Sequence, residues 1–152
     1  MAISVESVQT THVAQQQEVI VMGERFTQPA RTDQWARLEY VNDAGEYIED
    51  LYTGGCKSVN ATRKCRITVR VLGTDPWLRD VWPKVKSAHE NGEKVRLVYI
   101  DRNRDRPITA IAEDVAVPRY PSWDLYGKVG EVELQFEGLF NVVNTVTGSL
   151  GA

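Results

Sequence analysis

The sequence predicts a mainly β protein, an antiparallel β-sandwich or barrel with one flanking α-helix over about residues 76–91. Two stretches alternate apolar and polar residues strictly, the signature of half-buried strands. Between them, apolar residues recur at spacings of three and four, bounded by a capping residue and an Asn-Gly stop. Strands also precede and follow this helix without the regular alternation of a parallel sheet. At 152 residues the chain fits one domain, expected to span residues 1–152.

Taken in order, residues 19–22 form a short β-prone run. Residues 36–41 and 46–52 flank Asn42-Asp43-Ala44-Gly45, whose glycine readily takes positive φ, so a hairpin is expected there. Gly54-Gly55 opens a polar connection reaching about Arg63. In the following strand Cys65, Ile67, Val69 and Val71 share one face, and Lys64, Arg66, Thr68 and Arg70 the other. Residues 131–137 repeat the alternation with opposite charge: Val132, Leu134 and Phe136 against Glu131, Glu133, Gln135 and Glu137. If these strands are neighbours, their charges complement each other across the ladder.

Asp75-Pro76 supplies a helix cap followed by proline at the first helical position. The stripe of Trp77, Leu78, Val81, Trp82, Val85 and Ala88 reads as core. Pro83 lacks an amide hydrogen and collides with the carbonyl four residues back, so a kink or two short helices are expected, the second opening at Pro83. Asn91-Gly92 ends the helix. Residues 95–100 are apolar on both faces and read as a buried central strand. Residues 101–107 form a charged turn, residues 108–117 resume the sheet, and residues 118–128 make a loop carrying Tyr120, Trp123 and Tyr126.

Composition narrows the function. A net charge of −3 gives no global attraction to nucleic acid or anionic lipid. No apolar run is long enough to span a bilayer, and the first residues carry no basic or apolar signal, so a soluble protein made in a cytoplasm, without a membrane anchor, is expected. Cys56 and Cys65 are too few for a zinc site; free thiols or a disulfide, within or between chains, both remain open. His12 and His89 read as surface residues. The motifs of serine hydrolases, zinc proteases and thiol oxidoreductases are absent. Gly54-Gly55-Cys56-Lys57-Ser58 departs from a phosphate loop, and adjacent carboxylates such as Glu49 and Asp50, or Glu113 and Asp114, diverge on a strand. No enzyme, cofactor or metal is expected.

The ends carry more information. From residue 138 to 152 there is no charged side chain, and residues 1–17 carry only Glu6. Uncharged, β-branched edges are templates for pairing with another chain. They either fold onto the chain's own sheet or complete neighbouring copies, and the composition leans toward self-assembly. The rival reading is a single-stranded nucleic-acid-binding β-barrel, with Lys64, Arg66 and Arg70 on one strand face and Tyr120, Trp123 and Tyr126 available for stacking.

From Arg63 onward the order of elements resembles bacteriophage tail tube proteins. The resemblance rests on several segments in succession. An alternating strand ends in Leu72-Gly73, and the capped helix follows. Then come residues 92–100, Ile108-Thr109-Ala110, residues 112–117, and a late strand closing on Glu137-Gly138-Leu139. It implies subunits in rings, hexameric in that family, stacked into a hollow tube through which DNA passes, together with other tail proteins in the virion. Carried onto this chain, it implies inter-subunit contacts from an N-terminal arm (residues 1–18, with Ile3 and Val5) and the loop bearing Tyr52, Cys56 and Val59. The segment of residues 139–152, with Leu139, Phe140 and Val142, is a further contact region. It also implies that Glu131, Glu133 or Glu137 lines an acidic lumen, or pairs with Arg66 and Arg70 between subunits. A disulfide from Cys56 to a neighbouring copy would fit such a loop. A decoration, neck or tail-end protein, or the inner tube of a contractile secretion machine, is similar enough in pattern to stand as an alternative.

Overall fold

Alternation fixes which side of each strand is buried, and the computed structural model follows it closely. The structure describes residues 16–30, 34–41, 60–102, 107–117 and 123–144. The strands are β1 (Gln17–Val21), β2 (Glu24–Arg25), β3 (Ala36–Tyr40), β4 (Asn60–Leu72), β5 (Leu97–Asp101), β6 (Ile108–Ala112), β7 (Val115–Ala116) and β8 (Glu131–Asn144). They form one antiparallel sheet in the order β2-β1-β5-β6-β8-β4-β3, with β7 also paired to β8. The sheet curls into a half-barrel with a single bent helix, the barrel-like form of the expected class.

The two alternating strands are indeed neighbours. β4 and β8 pair from Asn60 opposite Val143 to Leu72 opposite Glu131, the longest ladder in the sheet. Cys65, Ile67, Val69 and Val71 face inward with Leu134 and Phe136, all essentially without solvent exposure. β4 starts earlier than its sequence pattern suggests. Residues 60–63, read as the end of a polar connection, are already paired to β8, because Val142 and Val143 continue the partner strand beside them.

The helix breaks where proline demands it. α1 (Pro76–Asp80) and α2 (Trp82–Glu90) meet at Val81, placing Pro83 in the first turn of α2, where an N–H would have no partner within that helix. α2 ends at Gly92 (φ 69°), where the Gly92 and Glu93 amides donate to the His89 and Ala88 carbonyls, a paired closure that needs left-handed backbone. The whole expected stripe of Trp77, Leu78, Val81, Trp82, Val85 and Ala88 is buried. Phe26 stacks on Trp77 at 4.1 Å, Trp77 lies 5.9 Å from Trp82, and Trp82 lies 4.3 Å from Trp123, a run of rings that joins the helix to residues on either side of it in the chain.

Asp75 ties this helix to the sheet. Fully buried, its carboxylate accepts from the Trp77 amide as helix cap, and from the Thr27 and Gln28 amides and the Thr27 hydroxyl. Residues 28–30 in turn run beside β4, with the Leu72 amide bonded to the Gln28 carbonyl and the Ala30 amide to Arg70. Across the seam between β1 and β3, the buried Gln17 side chain substitutes for a strand. Its Nε2 donates to the Ala36 carbonyl at 2.6 Å and its Oε1 accepts from the Ala36 amide. The same Nε2 reaches Tyr99 Oη and Asp101, whose carboxylate also accepts from the Tyr99 hydroxyl.

Candidate assembly surface

A strand with one buried face must present its other face to water or to a partner, so the outward face of β3, β4 and β8 is the surface to examine. It carries Arg37, Lys64, Arg66 and Arg70 against Glu39, Glu131, Glu133 and Glu137, equal numbers of each sign. Arg66 lies in register between Glu39 and Glu137, and both its Nε and Nη2 donate to Glu137 Oε2 at 2.9 and 2.8 Å. Arg70 Nε donates to Glu133 at 3.1 Å. Within the single chain these pairs join neighbouring strands. Of the three glutamates on this face, Glu133 and Glu137 are paired in place, and Glu131 lies opposite an apolar residue, Leu72.

The candidate contact residues at the C-terminal end separate in the structure. Phe140 and Val142 are fully buried in the chain's own core, a correction to their reading as inter-subunit residues. Residues 139–144 are not a free tail: they form the end of β8, held by β4 on one side and β6 on the other. Leu139, on the opposite face from Phe140, is 65% exposed. Sequence alternation could have made this split, because Phe140 and Val142 continue the inward series of Val132, Leu134 and Phe136. Ile3, Val5, Tyr52, Cys56 and Val59 lie outside the described residues, as do the turn at residues 42–45, the strand expected over 46–52, His12, Tyr120 and residues 145–152.

Register places several departure points of these segments together. Gln17 opposes Asp101, Asp101 opposes Ile108, Ile108 opposes Asn144, and Asn60 opposes Val143. Gln17, Asn60 and Asn144 therefore lie together at one end of the curl, while Val41 joins beside Lys64, four residues farther along β4. The helix and residues 123–130 occupy the other end.

On the outward side, a shallow groove of about 680 Å³ is lined by Thr62, Arg96, Ile111, Glu113, Asp114, Leu139 and Asn141. It exists because β8 changes partners: β7 holds Gly138, β6 holds Asn141, and β8 has neither beside Leu139 and Phe140. Gly138 permits the close passage, since a Cβ there would stand 2.7 Å from the Asp114 carbonyl oxygen. Asp114 Oδ1 accepts from the Val95 amide, and Arg96 lies 3.5 Å from Glu113. No periodicity in the sequence marks this groove, which depends on three separate strands.

Further titratable groups among the described residues have shifted ionisation. Burial pushes the Cys65 thiol up to about 12, with Arg63 pulling weakly the other way, so it stays protonated at neutral pH. Asp80 is lowered chiefly by its hydrogen bond from Arg79, an exposed neighbour pair on the helix. Among the described residues no group of three or more His, Cys, Asp or Glu gathers to hold a metal, and no helix is long and apolar enough to cross a membrane. No protein-family model matches this sequence, and no curated protein matches it.

Proposed function

We propose that this chain is a structural subunit that self-associates into stacked rings, as in a bacteriophage tail tube, and works by geometry without bond chemistry. The observation that supports this reading is that Gln17, Asn60 and Asn144, where the described chain meets residues 1–15, 42–59 and 145–152, lie together at one end of the curled sheet. Two of the segments that lead off from there, residues 1–15 and 145–152, are almost free of charge, a composition suited to pairing with another chain. A sheet face whose charges are neutralised in place also suits a repeated assembly, because like-charged faces would repel when stacked. DNA and other tail components are the partners such a tube would meet.

The nucleic-acid-binding alternative is less well supported. Arg66 and Arg70, its central cations, are engaged by Glu137 and Glu133. Trp123 packs on Trp82, and Tyr126 lies beneath the Arg79 guanidinium at 5.6 Å. Negative-stain microscopy and sedimentation of the purified protein test the proposal. Rings or filaments of uniform bore are expected. A monomer at high concentration, binding oligonucleotide with a steep salt dependence, would replace it with the alternative.

A further inference from the structure

Four large apolar side chains stand exposed among the described residues: Leu72 at 38%, Tyr126 at 42%, Leu139 at 65% and Val129 at 101%. They are not scattered. Leu72, Tyr126 and Val129 surround one loop tip at the helical end, and Leu139 lines the groove near the other end of β8. The tip is held in shape by the Gly73 amide bonded to the Gly130 carbonyl and the Gly127 amide bonded to the Gly73 carbonyl. The Lys128 carbonyl passes so close to Gly73 that no other residue fits there. A rigid apolar tip loses little conformational freedom on docking.

We propose that the tip of one copy, centred on Val129, seats in the Leu139–Ile111 groove of the next, a head-to-tail contact between two different surfaces. This rests on the self-assembly reading above. Charge favours the fit: the single charge between Tyr126 and Gly130 is Lys128, while the groove rim carries Glu113 and Asp114 against Arg96. Glu113 meets Arg96 at 3.5 Å yet is 74% exposed, so a second cation can reach its carboxylate from outside. Tip and groove lie ten residues apart along the chain at Val129 and Leu139, ~30 Å at strand rise. A copy therefore cannot satisfy its own groove with its own tip. Contacts between unlike surfaces repeat indefinitely, closing into a ring or continuing as a filament.

The test uses the full chain with two variants, Val129→Asp and Leu139→Asp, checked for folding by circular dichroism. Each alone is expected to be monomeric by sedimentation under conditions where the wild type assembles. Mixed in equal amounts, they should form a one-to-one pair and nothing larger, because one intact tip meets one intact groove. As a milder probe, Lys128→Glu should weaken self-association about tenfold, and Glu113→Lys in the same chain should restore it. Assembly of either aspartate variant at the wild-type level, or a mixture that stays monomeric, overturns this contact and leaves the self-assembly reading standing. A wild type that stays monomeric at high concentration overturns both.

Discussion

Gly73 shows how one residue can shape a surface. A methyl group there would stand 2.0 Å from the Lys128 carbonyl oxygen, a backbone atom that cannot swing aside. Gly73→Ala is therefore expected to cost roughly 2 kcal/mol or more and to disturb the 125–130 tip, checked by denaturant unfolding. Asp75 is comparably placed, because its carboxylate satisfies amides from both the helix and residues 27–28. Asp75→Asn keeps a cap oxygen and should lose less than Asp75→Ala, for which a loss of about 2–4 kcal/mol is expected by the same measurement. Cys65 gives a pH signature. In the unfolded chain its thiol ionises near 9.0, whereas the buried thiol holds its proton to about 12. The unfolded state thus releases its proton first, and the stabilisation, complete below pH 9, declines as pH rises from there toward 12. Cys65→Ala should flatten that decline, by an amount of order 2 kcal/mol at pH 11 relative to wild type. Peptide mapping after alkylation at neutral pH should find Cys65 unmodified in the native protein and modified in denaturant.

At the level of the element, the β4–β8 ladder carries two ion pairs of the same chemistry in different surroundings. Arg66 and Glu137 are 22% and 15% exposed, and Arg66 also lies beside Glu39; Arg70 and Glu133 are 43% and 44% exposed. Water and salt screen the second pair more strongly. Double-mutant cycles should therefore give a coupling of ~1 kcal/mol or more for Arg66 with Glu137 and ~0.5 kcal/mol or less for Arg70 with Glu133. Only the latter should vanish in high salt. Strand alternation put these charges on one face in the sequence, and their opposite signs suggested adjacency. The register that sets Arg66 against Glu137, however, is fixed by the fit of the two inward apolar rows. The helix was equally legible: Asp75, Pro76, Pro83 and Gly92 act locally, so its cap, break and stop lie in the sequence itself.

The whole molecule is where local reading failed. Phe140 and Val142 look like exposed sticky strand when read as part of an uncharged tail, but they finish the core once β8 is seen to continue to Asn144. Gln17 offered no sign that it would stand in for a strand between β1 and β3, because its partner Ala36 lies on the opposite edge of the curl. The groove beside Leu139 likewise draws residues from four distant parts of the chain. Assembly belongs to this scale: sedimentation of the wild type decides whether it occurs, and the two aspartate variants decide whether the tip and the groove carry it.

What the sequence determined alone is whatever depends on a residue and its near neighbours: the alternating strands, the capped and broken helix, the buried stripe and the neutral chain ends. Only the tertiary structure decided which strands lie side by side, that the sheet curls on itself, and that the arginines and glutamates neutralise each other within one subunit. The reason is physical. Periodicity and caps act over a few residues, whereas register, seam and groove arise from packing between segments far apart in the chain, where many partners satisfy the same local pattern.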